Sequence, residues 1–160
     1  MKMNRVDAAR LDRVSAAAKQ NPRLRMNDNL HGMQDAMHRL LNATEPGTYV
    51  QPHRHATAPR TEVLCVLRGR GAIVTFGDDG AILECAILGR GGDCEVAEIP
   101  PATWHTLLAL EPSTVWFEVK EGPYEPLPLD DLAPWSPAPS SPAAPQYLEQ
   151  LRARVLGAAR

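Results

Sequence analysis

Cysteine is scarce in this 160-residue sequence, and the shortage is informative. The three present, Cys65, Cys85 and Cys94, are odd in number and lack Cys-x-x-Cys spacing, so neither a disulfide framework nor a zinc finger follows. A reducing compartment, the cytoplasm, is the expected location. No run approaches the roughly 18 apolar residues that a membrane helix needs, so no membrane association is expected. The basic start, Met1 to Arg5, leads into Asp7, Arg10, Asp12 and Arg13 rather than an apolar stretch, and no signal peptide is expected. Excess charge of one sign is missing as well. Seventeen Lys and Arg stand against 19 Asp and Glu for a net charge of −2, which disfavours nucleic acid as the main partner. With 44% hydrophobic and 22% charged residues the chain is neither collagen-like nor disordered. Its length allows one hydrophobic core.

Proline is the residue in excess. Eight of the 15 lie between Pro123 and Pro145, which marks off one segment of the chain. Asp7 to Gln20 is alanine-rich, with Leu11, Val14 and Ala18 at helical spacing, and Asn21-Pro22 stops it. The basic residues of this helix, with Arg23 and Arg25 after it, read better as a solvated face than as an anion-binding arm. From about Arg39 to Lys120 the chain consists of short apolar or alternating runs broken by Gly, Pro and Asp, the pattern of strands. The expected strands are Arg39 to Thr44, Thr48 to Pro52, Val63 to Arg68, Ala72 to Phe76, Ala81 to Leu88, Glu95 to Ile99, Trp104 to Leu110 and Val115 to Lys120. Gly77-Asp78-Asp79-Gly80 marks a hairpin turn. Met33, Ala36, Met37, Leu40 and Leu41 also fit helical spacing, and a strand is favoured for the second half of that stretch.

The fold class expected is all-β: a small antiparallel jelly-roll barrel with short N-terminal and C-terminal helices. Three segments of one domain follow: residues 1–38 as a helix and polar arm, 39–122 as the barrel, and 123–160 as a proline-rich strap and helix. Proline has no amide for a sheet, which keeps the strap out of the barrel. Tyr147, Leu148, Leu151, Val155 and Leu156 recur on one helical face, which docks on the barrel or on a second subunit of an expected homodimer.

Chemistry concentrates at His53-Arg54-His55. Residues two apart on a strand point the same way with Cα atoms about 6.6 Å apart, close enough for two imidazoles to share a cation. Glu62 follows across a loop containing Pro59, and a hairpin would return it to the histidines. His105 opens an apolar run after Ile99-Pro100-Pro101-Ala102. Three imidazoles and a carboxylate suit one divalent metal ion: zinc, manganese, iron or nickel. Left uncoordinated in an apolar cavity, such a cluster is costly to desolvate.

Gly47, His53-x-His55, Glu62 and Gly69 resemble the first motif of the cupin superfamily, with a longer gap before the glutamate. Pro100-x-Ala102-x-x-His105 resembles the second, with alanine where glycine is usual and Ala109 where asparagine is common. Arg23-Leu24-Arg25-x-Asn27-x-Asn29-x-His31, Glu45-Pro46-Gly47-Thr48-Tyr49-Val50-x-Pro52-His53-Arg54-His55, Glu98-Ile99-Pro100-Pro101-x-Thr103-Trp104-His105-Thr106 and Glu118-Val119-Lys120-x-Gly122-Pro123-Tyr124 look like the WbuC family of cupin fold metalloproteins. The longer gap is normal in that family; Thr61, where it often carries tryptophan, and the proline-rich tail depart from it. The resemblance implies a small barrel with one bound metal among bacterial genes for surface polysaccharide (O-antigen) synthesis, without a settled reaction.

Around the metal candidates, Asn29 and His31, with Asn27, either line the pocket mouth and bind substrate or form a turn that satisfies its own backbone. Tyr49 and Gln51 share a strand face with the histidines by parity and are expected to point inward. Arg39 would bind a substrate carboxylate or phosphate, or else sit in a surface ion pair; it alternates with His38, so one of the two faces inward. Trp104 lies on the face opposite His105 and packs. Glu118 and Lys120 share a face, with a structural role at the rim favoured over acid or base catalysis. The leading functional expectation is a metal-dependent enzyme, an isomerase, epimerase or dioxygenase, acting on a small polar substrate such as a sugar or sugar nucleotide. Its rivals are a non-catalytic binding or regulatory module stabilised by the metal, and a metal-free sugar epimerase.

Overall fold

Two α-helices, eight strands and a 3-10 turn at Leu129–Asp131 appear in the computed structural model, which describes residues 3–158; positions 1–2 of the expected arm and 159–160 of the expected tail lie outside it. Helix α1 (Ala8–Gln20) is capped by Asp7, whose carboxylate accepts from the Arg10 amide at 2.9 Å. The strands are β1 (Arg25–Asn29), β2 (Met37–Thr44), β3 (Glu62–Arg68), β4 (Arg70–Phe76), β5 (Ile82–Gly89), β6 (Val96–Ile99), β7 (Trp104–Ala109) and β8 (Thr114–Glu121). Helix α2 (Ala144–Ala158) closes the chain. All pairings between strands are antiparallel, in one sheet ordered β1-β2-β8-β3-β6 and another ordered β5-β4-β7.

Parity sorts the apolar residues into three layers. Between the sheets lie Leu64, Ile73, Leu88, Ile99, Leu107 and Trp116. Outside the larger sheet, Val14 and Ala18 of α1 cover Leu41, Ala43 and Val115. Outside the smaller one, Leu148, Leu151 and Val155 of α2 cover Ala72, Val74, Phe76, Trp104 and Leu108. Strands β2, β4 and β7 are therefore buried on both faces, and this is why their apolar runs are nearly continuous. The hairpin at Gly77 to Gly80 forms as expected, with Gly80 at φ +82° and its amide on the Gly77 carbonyl. The second half of the ambiguous Met33 to Leu41 stretch is strand, beginning at Met37.

Two expectations need correction. Thr48 to Pro52 forms no strand, because its groups bond to several different neighbours instead of one ladder. Thr48 Oγ1 donates to the Leu24 carbonyl, Tyr49 Oη to Pro137, and the Pro52 carbonyl accepts from Ala133. The barrel also begins at Arg25 rather than Arg39, since β1 pairs in register with β2 from Arg25↔Thr44 to Asn29↔Leu40. Its sequence, Arg-Met-Asn-Asp-Asn, carries no apolar alternation to betray it. Met26 packs beside α1 while Asp28 is bound by Arg10 of that helix at 2.7 Å, so even the covered face is half polar.

Trp116, fully buried, stands across the barrel from Gly71, and its indole N–H donates to Thr44 Oγ1 at 3.1 Å. A methyl group at Gly71 would occupy the space of the indole ring edge. Gly71→Ala is therefore expected to lower stability by about 1–3 kcal/mol, read as a shift in denaturant midpoint. An unchanged midpoint would mean that the two sheets approach less closely there.

Candidate metal centre

His53, His55, Glu62 and His105 each contribute one donor atom to a group whose members all lie within 4.8 Å of one another. Strand β7 turns His105 inward while its neighbour Trp104 packs under α2, as parity requires. Glu62 opens β3 at the level of Lys120 on β8. The two histidines before it arrive differently from the expected strand face. His53 makes two isolated antiparallel bridges, one to Leu132 and one to His105, with which it exchanges backbone hydrogen bonds of 3.0 and 2.8 Å. The His55 carbonyl then accepts from the amide of Ala102, which is left-handed at φ 61°. That conformation explains why glycine is usual at this place in the motif.

The proline-rich strap holds this histidine segment in place. Asp131 accepts from the amides of Ala56 and Thr57 at 3.2 and 3.0 Å and faces Arg54 Nε at 3.4 Å, while the Arg54 amide donates to the Asp131 carbonyl. Burial alone would raise the Asp131 pKa, but the Thr57 and Ala56 amides hold it below the ordinary range. Arg54 also lies over the Trp104 ring, 4.2 Å from its centroid.

Hydrogen bonds fix the state of two of the rings. His53 Nδ1 faces the Gln51 carbonyl at 3.0 Å and His105 Nδ1 the Thr103 carbonyl at 2.9 Å. A carbonyl only accepts, so both Nδ1 atoms carry hydrogen and both Nε2 atoms turn toward the group, the arrangement of metal-binding histidines. His105 Nε2 is buried without a hydrogen-bond partner, 3.0 Å from Glu62 Oε2. Only a second proton or a cation makes that approach favourable. Burial, reinforced by neighbouring His105, pushes the His53 pKa down to about 3, so this ring is neutral and ready to ligate at neutral pH. Burial would raise Glu62, yet His105, His55 and the Lys120 ammonium hold it well below the usual carboxylate range. The donor set therefore fits a divalent ion.

Beside the group lies a cavity of about 170 Å³. Lys120 Nζ reaches Glu62 Oε1 at 2.8 Å and Glu118 Oε1 at 2.6 Å inside it, rather than pairing at the rim as expected. Asn29 and His31 line it, together with Asn27, and the backbone N–H of Arg39 donates to His31 Nδ1 at 2.9 Å. His38, stacked on His31 with ring centroids 4.0 Å apart, takes the inward position of its pair. Arg39 is accordingly outside, ion-paired with Asp35 at 2.9 Å. Tyr49 and Gln51 line a separate groove against α2, because Val50 takes the inward place once the segment leaves strand geometry. His38, Asn42 and Lys120 are the cavity groups that sequence reasoning underrated. The spacing His38-x-Leu40-x-Asn42 on β2 and the shared parity of Glu118 and Lys120 were the signals available.

A family model described as a domain of unknown function (DUF6016) matches residues 6–88, over half of the chain. No curated protein sequence matches it. Among solved structures, KdgF from Halomonas sp. is 19% identical, with 66% of this chain and 84% of the other aligned at a TM-score of 0.50. Procruciferin, an 11S globulin from Brassica napus, is 18% identical over 64% of this chain, with a TM-score of 0.50. A mutant of the Bacillus subtilis oxalate decarboxylase OxdC is 15% identical over 63% of this chain, also at 0.50. The chain spans about a quarter, 26%, of each of the last two. These likenesses show the fold, which is that of the cupins.

The depressed His53 and Glu62 values carry a sign. In the unfolded chain His53 takes a proton near 6.5, but in the folded, metal-free protein not until about 3, so stability falls as pH drops through that window. Glu62, held below its ordinary 4.5, adds loss in the same direction at lower pH. Denaturant midpoints of chelator-treated protein are expected to fall from pH 7 to pH 4. A flat profile would contradict the buried, neutral state of His53.

Proposed function

We propose that this chain, a member of the DUF6016 family with a cupin barrel, is a metal-dependent enzyme acting on a small polar substrate. His53, His55, Glu62 and His105 would hold one divalent ion, zinc, manganese, iron or nickel. Such an ion supplies Lewis-acid polarisation of a substrate oxygen, or redox chemistry if it is iron. The observation that carries the enzymatic reading is the cavity next to the donor group. Lys120, Glu118, Asn42 and His38 turn ionisable and polar groups into it, and an ion serving only to staple the barrel would have no need of them. Lys120, held between two carboxylates, is placed to orient Glu62 and to meet a substrate oxygen.

A space of about 170 Å³ suits a small molecule, or one end of a larger one. The WbuC-like motifs support a finer reading, a sugar or the sugar end of a sugar nucleotide in surface polysaccharide synthesis. The three cysteines, all unpaired, support a reducing compartment.

The test compares metal-loaded wild type, chelated wild type and His105→Ala against a panel of small sugars, hydroxy acids and keto acids, with thermal melts in parallel. Turnover is expected only in the loaded wild type, with His105→Ala still folded. Metal at a hundred times its dissociation constant should add about 2.7 kcal/mol to stability. A melt shift without turnover on any panel member would favour the non-catalytic module, and turnover surviving chelation the metal-free epimerase.

A further inference from the structure

Arg25 stands apart from the other partly buried arginines among the described residues. Arg10, Arg39, Arg54, Arg60 and Arg68 each face an Asp or Glu carboxylate, and Arg70 and Arg152 each reach a backbone carbonyl. Among the described residues the Arg25 side chain meets no acceptor, and burial lowers its pKa, with Arg23 adding to the effect and Glu118 opposing it. The guanidinium is half-buried with its nitrogens still open to solvent, so water is the partner that an anion entering the cavity would replace. Glu149, in the neighbouring groove, is turned to Arg152.

Its position gives the missing partner a place. Arg25 borders both the groove against α2 and the metal-site cavity, and strand register sets it at the end of the cavity far from the His53–His105 donor group. Arg25 pairs with Thr44, Asn27 with Asn42 and Asn29 with Leu40; Leu40 pairs with Glu118 and His38 with Lys120, which pairs in turn with Glu62. Two rows of inward side chains thus separate the row of Arg25 from the row of Glu62. One of them holds Asn42, whose Nδ2 donates to Glu118 Oε2 at 3.4 Å while its buried Oδ1 has no donor. Charge points the same way. The Glu62 and Glu118 carboxylates are balanced by Lys120 and Arg25, so a divalent ion leaves two uncompensated positive charges facing the cavity.

We propose that Arg25 anchors an anionic substrate: a small molecule carrying a carboxylate or phosphate for the guanidinium and a hydroxyl for Asn42 Oδ1, its other end directed at the metal. A planar, permanently charged fork suits either oxyanion. The basic residues after α1 read from sequence as solvated; for Arg25 the cavity reverses that reading. The inference deepens the metal-site reading and rests on it for the ion.

The test is calorimetric titration of the full-length, metal-loaded protein with inorganic phosphate and, separately, lactate, in wild type, Arg25→Gln and Arg25→Lys, repeated after chelation. At least one anion is expected to bind wild type, with affinity reduced at least tenfold in Arg25→Gln and by a smaller factor in Arg25→Lys, which keeps the charge but not the fork, while metal content and melting temperature stay unchanged. Tighter phosphate binding assigns a phosphate ester and tighter lactate binding a hydroxy acid. Equal affinity in wild type and Arg25→Gln, or no binding of either anion at tens of millimolar, overturns the proposal. If the protein holds no ion yet Arg25-dependent binding persists after chelation, the metal reading fails and the anion anchor stands.

Discussion

Three imidazoles converging on one buried carboxylate impose the constraint on which the rest of this molecule depends. His53 and His105 have their Nδ1 hydrogens committed to backbone carbonyls, so their remaining nitrogens face each other and Glu62 with nothing to share but a cation. Much of the fold serves to hold that arrangement. The His53–His105 bridge ties the ligand segment to β7, Ala102 accepts a left-handed backbone to reach the His55 carbonyl, and Asp131 of the strap grips the two residues after His55. The proline-rich segment is thus part of the site's scaffold. Without backbone amides at its prolines it cannot join the sheet, but its remaining amides and carbonyls latch the loop that does the binding.

The same economy of rows explains the cavity. Strands β1, β2, β8 and β3 each turn alternate residues inward, and the inward residues near the open end include Glu62, Lys120 and His38, where Leu64 and Trp116 on the same strands pack against Leu107 of β7. Lys120 joins the two carboxylates Glu62 and Glu118 into one buried network, so each of the three charges has a partner. A charged group in this space without such a partner, Arg25, is the exception that marks where a ligand belongs.

Legibility in the sequence followed burial. Strands with an apolar face, β3 to β8, could be read within a residue or two because their pattern reflects the core, and the four metal candidates could be read from motif spacing alone. Strand β1 could not, since Arg25, Asn27 and Asn29 face the cavity and Asp28 is satisfied by Arg10; its fitness as a strand comes from partners distant in sequence. The opposite case is Thr48 to Pro52, where alternating residues look like a strand but the Thr48 hydroxyl bonds to Leu24, the Tyr49 hydroxyl to Pro137 and the Pro52 carbonyl to Ala133. That one misreading turned Tyr49 and Gln51 inward on paper. In the folded chain Val50 faces the cavity, and Tyr49 packs edge-on against Tyr147 of α2.

The central claim is that His53, His55, Glu62 and His105 hold a divalent ion. Elemental analysis of protein purified without chelator or metal-affinity chromatography tests it most directly, with Glu62→Ala prepared in parallel. The account predicts close to one equivalent of a single transition metal in the wild type and its loss from the variant. Wild-type protein that stays empty even after growth and dialysis with zinc, manganese, iron and nickel would contradict it.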